Sequence, residues 1–175
     1  MKPEIITNSG KMFDFVNPHP DQICIEDIAH ALSNICRFTG HTKFFYSVAQ
    51  HSILTSYIVP KPHKLAALLH DAAEAYINDI AKPLKQLLPD YAAIEERVER
   101  VIFAKFGVPY PLPDCVKRAD LVMLATEQRD ILANGGEPWM VDVEPDKYII
   151  NDWSNSFSHQ TFINRYHELK REIQT

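Results

Sequence analysis

The stretch from His63 to Ile77 constrains the fold most, because it is apolar on nearly every side. Leu65–Leu69 is an unbroken apolar run, and Ala72-Ala73 continues it one turn later. A helix that is apolar all round must be covered by other elements on every face. The sequence therefore predicts one continuous helix over 63–77, buried at the centre of a helical domain.

The rest of the chain predicts further helices, separated by prolines and glycines. Gly107 stands at the C-cap position of one helix, Asn134-Gly135-Gly136 closes another, and Ser158 is the predicted N-cap of the last. Apolar residues at helical spacing, or proline and glycine boundaries, define these segments. The predicted helices cover 25–37, 43–58, a short stretch from Lys82 that is ended by Pro89, 90–106, 114–133 and 158–173.

Two segments depart from the helical pattern. Near the N-terminus, Ile5–Thr7 and Lys11–Phe15 flank Asn8-Ser9-Gly10, which predicts a small β-hairpin. Toward the C-terminus, Glu137–Ser156 is irregular, and we expect it to form either a lid or an oligomer contact. No repeat or interdomain linker interrupts the chain, so the prediction is one all-α domain over 1–175 with a small N-terminal β-hairpin.

Composition excludes several classes of protein. The 175 residues are 46% apolar and 23% charged, as in a folded soluble domain. A net charge of −5 disfavours polymeric nucleic acid and membrane surfaces as partners. No apolar run approaches the ~18 residues of a membrane span, and the N-terminus has no signal-peptide core. The three cysteines form no CxxC pair, so we expect neither a disulfide scaffold nor a cysteine zinc site, and a cytoplasmic location.

Three ionisable residues follow the apolar run in the segment His70-Asp71-Ala72-Ala73-Glu74. Burying charge costs several kcal/mol unless the charge is paired or binds a metal ion. In a helix, with about 100° per residue, His70 and Glu74 would lie about 40° apart on one face, with Asp71 at its edge. This arrangement predicts a divalent metal ion bound by His70 and Asp71.

Further ligands are needed, and two other residues are candidates. His51 lies in the middle of an otherwise apolar helix, and Asp120 precedes the apolar run Leu121–Leu124. Taken alone, His51 would be interpreted as a hydrogen-bonded core residue and Asp120 as a helix cap or salt-bridge partner. Together with His70 and Asp71 they make a set of two histidines and two aspartates, suited to Mn²⁺, Fe²⁺, Co²⁺, Ni²⁺ or Zn²⁺.

The order His51, His70-Asp71, Asp120 resembles the HD superfamily of metal-dependent phosphohydrolases. Within it, the chain is similar to the compact branch of YfbR-like 5′-deoxynucleotidases and DatZ-like deoxynucleotide triphosphohydrolases. The resemblance covers roughly residues 25–130 and implies an HD-type helical bundle. Its motifs are Ile35–Phe38, Tyr46–Ser52, His70–Glu74 with Asp79 and Pro83–Lys85, and Lys117–Asp120.

This resemblance implies a role for each matching residue. His51, His70, Asp71 and Asp120 would bind the metal, which could also be Mg²⁺. Glu74 would be catalytic, orienting or deprotonating the attacking water, or would hold a second ion.

Substrate contacts are implied as well. Arg37 would bind the phosphate, Asp79 the sugar hydroxyls of a deoxyribose, and Lys85 the phosphate again. Simpler alternatives stay open: Arg37 could complement a helix C-terminus, Asp79 could cap a helix, and Lys85 could be solvated. From the residues alone, His41 near Arg37 is a pocket candidate. Phe38, Trp139 and Trp153 could stack on a base, although core packing is the simpler role for each aromatic residue.

The expected function is hydrolysis of 2′-deoxynucleotides in nucleotide-pool control, removing phosphate or polyphosphate at the 5′ position, with a 5′-deoxynucleotidase favoured. One alternative is a dNTP triphosphohydrolase, with dATP as a candidate substrate; another is a metal-bound nucleotide sensor, which would not need Glu74. A cyclic-dinucleotide or alarmone hydrolase is disfavoured, because no Gly-Tyr-Pro motif lies beside the site and the chain is short. A homo-oligomer is expected from the aromatic residues of Glu137–Ser156.

Overall fold

The computed structural model describes residues 2–133 and 142–174. It is helical, with one small two-stranded antiparallel sheet, which confirms the predicted helical class and the hairpin. None of the described helices combines the length and the apolar character that a membrane span requires. In chain order the elements are β1 (Glu4–Ile6), β2 (Met12–Asp14), α1 (Ile25–Asn34), α2 (Val48–Ile58), α3 (Lys64–Leu68), α4 (Glu74–Ile77), α5 (Lys82–Lys85), α6 (Pro89–Phe106), α7 (Asp114–Ile131) and α8 (Asn155–Gln174).

The hairpin is attached to the helices by one aromatic side chain and one buried carboxylate. Phe13 of β2 is fully buried and stacks on Tyr76, with ring centroids 4.1 Å apart. Asp27 of α1 accepts hydrogen bonds from the backbone N and the Oγ of Ser9, both at 2.7 Å, and from Cys24 Sγ at 3.0 Å. The strands are short, so these contacts supply the stability that a two-stranded sheet lacks by itself.

Helix α2 is the most enclosed element of the described chain. Every residue from Val48 to Ser56 is buried, because α1, α3, α7 and α8 all pack against it. It starts at Val48, since Ser47 accepts a hydrogen bond from Gln50 N and acts as the N-cap. The predicted start at residue 43 is therefore wrong.

The predicted continuous helix over 63–77 is also wrong, although its residues are buried as expected. Helix α3 ends at Leu68, and tight turns connect it to α4. The Ala67 carbonyl, which would accept the Asp71 N–H in a continuous helix, accepts a hydrogen bond from the His70 ring at 2.7 Å. In the turns, Ala72 N bonds to Leu69 O and Glu74 N bonds to Asp71 O, three residues back. His70 and Asp71 therefore lie at a break in the helix.

Other boundaries show how local hydrogen bonds decide where helices begin and end. Gly107 follows α6 with φ of +74°, as its predicted C-cap role requires. Helix α1 ends at Asn34, three residues before the prediction. Helix α8 begins before Ser158, which is buried inside it, because Ser154 Oγ accepts a hydrogen bond from Phe157 N. The predicted N-cap at Ser158 is wrong.

The described part of the segment before α8 is held against α7. Arg129 donates hydrogen bonds to the carbonyls of Asp146 and Tyr148, and Asp130 accepts one from Ile150 N. Ile150 is buried in a second apolar cluster, against which Phe38 and Trp153 also pack. Core packing is therefore what the structure shows for these two aromatic residues. Trp139 and the predicted helix end at Asn134-Gly135-Gly136 lie outside the described residues.

Candidate metal and active site

Side chains from three parts of the chain converge on one point. His51 comes from the middle of α2, His70 from the turn after α3, and Asp120 from the first half of α7. His51 Nε2 lies 3.2 Å from His70 Nε2 and 3.2 Å from Asp120 Oδ1. One ligand atom from each of the three lies within 4.8 Å of the others, so this cluster could hold a metal ion.

Asp71 is the fourth predicted ligand, and it lies at the same point. Its Oδ2 is 3.3 Å from His70 Nε2 and 3.6 Å from His51 Nε2. The same oxygen is 3.4 Å from Arg37 Nη1. The structure thus brings all four predicted ligands together, and Asp71 also connects them to the predicted phosphate-binding arginine.

Hydrogen bonds on the far sides of both imidazole rings determine what their inner nitrogens offer. His70 Nδ1 bonds to the Ala67 carbonyl at 2.7 Å, and His51 Nδ1 bonds to Glu127 Oε1 at 2.5 Å. Carbonyl and carboxylate oxygens only accept hydrogen bonds, so Nδ1 carries the proton in both rings. In the neutral rings, both Nε2 atoms therefore present lone pairs to each other and to the carboxylates.

The convergence of these acceptor atoms shifts the pKa values of the residues that carry them. Burial and the Arg37 charge lower the pKa of His51, but Glu127 and Asp120 outweigh them and raise it to about 9. Burial also lowers the pKa of His70, yet the Asp71 charge and the Asp120 hydrogen bond raise it overall. Burial raises the pKa of Asp120, but hydrogen bonds to the two histidines hold it well below its usual range. The two histidine shifts favour positive charge on the rings, and the Asp120 shift favours the carboxylate anion beside them.

Arg37 is buried beside this cluster, in a turn of unusual backbone conformation. The next two residues, Phe38 and Thr39, both have φ of +54°, the left-handed region that non-glycine residues rarely adopt. The guanidinium contacts Glu127 Oε2 at 3.2 Å as well as Asp71. Because α1 already ends at Asn34, Arg37 is better described as part of this site than as a helix C-terminal charge.

Glu74, at the start of α4, is buried and incompletely bonded. Its Oε2 has no hydrogen-bond partner among the described residues. Burial, followed by the charges of Asp71 and Asp79, raises the pKa of its carboxyl well above the ordinary value, against the opposing effect of Arg37. These interactions place a carboxyl group of unusual basicity next to the cluster.

The remaining predicted substrate contacts differ in how closely they approach the cluster. Burial raises the pKa of Asp79, and Arg37 opposes this, so Asp79 feels the charges of the site. Lys85 is ion-paired to Glu95 of α6 at 2.5 Å, so it is not the freely solvated lysine of the simpler alternative. His41 is exposed at the end of the Arg37 turn.

Sequence reasoning missed Glu127, which is fully buried on α7 and contacts both His51 and Arg37. A signal was present in the spacing. Glu127 follows Asp120 by seven residues, which is about two turns of helix and therefore the same face. The spacing becomes informative only when the fold shows that His51, on another helix, lies against Glu127.

No family model matches the chain. The chain is 53% identical over 137 residues to the uncharacterized protein YfdR of Escherichia coli (strain K12), covering 78% of this chain and 77% of the relative. The chain belongs to the family of YfdR. It is also 37% identical over 121 residues to an uncharacterized protein of Rhodobacter capsulatus, covering 63% of this chain and 62% of that relative. Both relatives are named only as uncharacterized proteins.

Proposed function

We propose that this protein is an HD-type, metal-dependent phosphohydrolase that removes phosphate from 2′-deoxynucleotides. The observation that carries the proposal is the convergence of two imidazole Nε2 atoms and two carboxylates beside a buried arginine. The two imidazoles and the two carboxylates can bind a cation, and the arginine can bind an anion. A phosphate ester held by a metal ion and a guanidinium satisfies both.

The donor atoms fit a divalent metal ion. His51, His70, Asp71 and Asp120 offer two nitrogens and two oxygens, which suit Mn²⁺, Fe²⁺, Co²⁺, Ni²⁺ or Zn²⁺ better than Mg²⁺. Acceptor atoms that face each other at 3.2 Å repel unless a proton or a metal ion lies between them. As the alternative to a role on the attacking water, Glu74, with its unpartnered oxygen, would hold a second ion.

When bound, the metal would neutralise charge on phosphate oxygens and lower the pKa of a water toward ~7. Arg37 would bind phosphate oxygens through its guanidinium, held in place by Asp71 and Glu127. Glu74 would accept the proton of the attacking water at its free Oε2. As the water oxygen bonds to phosphorus, the bond to the 5′ oxygen breaks, and Glu74 would return the proton to that oxygen. The products are a nucleoside and inorganic phosphate.

Two further residues would contact the substrate. Asp79 would accept hydrogen bonds from the hydroxyls of the deoxyribose, and Lys85 would add positive charge near the phosphate. The three cysteines form no disulfide, which supports a reducing, cytoplasmic location. We also propose that the protein forms a homo-oligomer.

One assay tests this function and its alternatives. Deoxynucleoside mono-, di- and triphosphates are incubated with Co²⁺, Mn²⁺, Zn²⁺ or Mg²⁺, and the products are identified. Inorganic phosphate from a monophosphate supports the 5′-deoxynucleotidase; triphosphate and nucleoside from a dNTP, with dATP as the first candidate, would indicate the triphosphohydrolase. Nucleotide binding without turnover would indicate the sensor.

Glu74→Gln is the matched control for the assay, because it keeps the size of the side chain and removes the base. Loss of a general base typically lowers turnover by about 10²- to 10⁴-fold. We expect a loss of that size in kcat, with metal content and nucleotide binding retained. Unchanged turnover in this variant would contradict the role of Glu74.

A further inference from the structure

We propose that Glu127 is a positioning residue that holds His51 in the tautomer needed for metal binding and Arg37 in the orientation needed for phosphate binding. This inference rests on the proposed function, in which His51 binds the metal and Arg37 the phosphate. It adds that one carboxylate orients a residue of each of the two sites.

The geometry divides the carboxylate of Glu127 between two partners. Oε1 bonds to His51 Nδ1, and Oε2 lies 3.2 Å from Arg37 Nη2. Glu127 and His51 are both completely buried, so no water can replace either contact without entering the core. The Tyr46 hydroxyl also interacts with this carboxylate, but His51 and Arg37 are the two partners with a proposed task in the site.

The consequence for His51 is chemical. A neutral imidazole carries one proton, and the carboxylate keeps that proton on Nδ1. Nε2 is then free to bind a cation at the point where His70 and Asp120 converge. Carboxylates that orient metal-binding histidines in this way contribute about 10- to 100-fold to metal affinity.

The consequence for Arg37 is orientation. The guanidinium is held by Glu127 on one side and Asp71 on the other. Asp71 is itself a proposed metal ligand, so it is drawn toward the metal when one binds. Glu127 is then the carboxylate that remains available to keep the guanidinium in place. Weakening this contact should therefore weaken the binding of phosphate.

Glu127→Gln tests both consequences at once, since an amide has one accepting and one donating end. His51 Nδ1–H and the Arg37 guanidinium are both donors, so a glutamine can satisfy only one of them. If the NH₂ group faces His51, the ring must accept at Nδ1 and carry its proton on Nε2, which blocks the metal. If it faces Arg37, the guanidinium is displaced.

The measurements are a Co²⁺ titration of the metal-free protein, followed by visible absorption, and inorganic phosphate binding at saturating Co²⁺. We expect E127Q to bind Co²⁺ about 10- to 100-fold more weakly, or to bind phosphate more weakly, or both. The control is Asp27→Asn, another buried carboxylate that accepts several hydrogen bonds but lies at the hairpin. It should bind Co²⁺ and phosphate as the wild type does.

Wild-type affinities for both Co²⁺ and phosphate in a folded E127Q protein would overturn the role of Glu127. If His70→Ala loses Co²⁺ in the same experiment, the proposed function would stand. Should E127Q fail to fold, Glu127→Asp keeps both acceptors one methylene shorter, and a weakened Co²⁺ or phosphate affinity in it supports the role while wild-type values overturn it.

A second readout does not depend on any metal. Nitrogen NMR of the histidines, recorded at a pH high enough for the rings to be neutral, reports which ring nitrogen carries the proton. We expect Nδ1–H for His51 in the wild type, and a proton on Nε2 would overturn the inference. If the wild-type protein binds none of the metals, the proposed function fails, and this spectrum still decides what Glu127 does to His51.

Discussion

Two polar networks that include carboxylates can be compared in the described part of the chain, and they are built in opposite ways. Asp27, at the junction of the hairpin and α1, accepts hydrogen bonds from three donor atoms, two on Ser9 and one on Cys24. In the candidate metal site, two histidine nitrogens and two carboxylates face one another. The first network supplies its own donors and stabilises the fold. The second concentrates acceptors that a cation would satisfy.

The largest expected effect is the loss of metal binding in His70→Ala. In the wild type, a metal that binds only the folded state adds about 2.7 kcal/mol of stability when present at 100 times its Kd. We expect Co²⁺ to raise the melting temperature of the wild type and to leave that of His70→Ala unchanged, because the site loses one of its two nitrogens. An equal rise in both proteins, measured by thermal unfolding, would show that Co²⁺ binds elsewhere.

A smaller effect, on stability alone, is expected for Asp27→Asn. The variant places an amide among donors and leaves at least one of them poorly matched, at a cost of about 1–3 kcal/mol in the free energy of unfolding. The stabilisation by Co²⁺ should remain, since the metal site is intact. Denaturant unfolding with and without Co²⁺ measures both quantities. Loss of the Co²⁺ effect would show that the Asp27 contacts and the metal site are energetically coupled, although the structure separates them.

The pH dependence of stability in acid should further distinguish Asp27→Asn from the wild type. Burial raises the pKa of Asp27, but the hydrogen bonds from Cys24 and Ser9 outweigh burial and lower it below its ordinary value. Such a carboxylate stabilises the fold above the pKa of the unfolded chain, near 4, and this stabilisation is lost as the pH falls through the folded pKa. The Asn variant lacks this part of the acid dependence.

The smallest effect concerns Glu99 on α6, beside the second network. Burial and the Glu95 charge raise the pKa of Glu99 to about 7. The unfolded chain therefore releases this proton first, and folding stability falls as the pH rises from about 4.5 to 7. Glu99→Gln should remove that decline, so that its melting temperature exceeds that of the wild type at pH 8 but not at pH 4. A difference that is the same at both pH values would argue against the raised pKa.

The local sequence pattern was sufficient to predict the structure where the residues of one short segment determine it. The hairpin around Asn8–Gly10 and the helix end at Gly107 were predicted correctly, because turn and cap residues act within a few positions. The break after Leu68 was not, because no proline or glycine marks it. It is stabilised by a ring-to-carbonyl bond of His70, and that side chain is also engaged in a tertiary cluster.

The sequence by itself determined which chemically active residues the chain carries. Two histidines, two aspartates and Glu74 among apolar residues require an explanation, and a metal site is one that residue types and order can predict. Only the tertiary structure decided how those groups are held. Glu127 and Arg37 are 90 positions apart in the chain, and their contact exists because α7 packs beside the turn that follows α1. Hydrogen bonds act over a few ångströms, so a positioning residue becomes visible only when the fold brings its partners together.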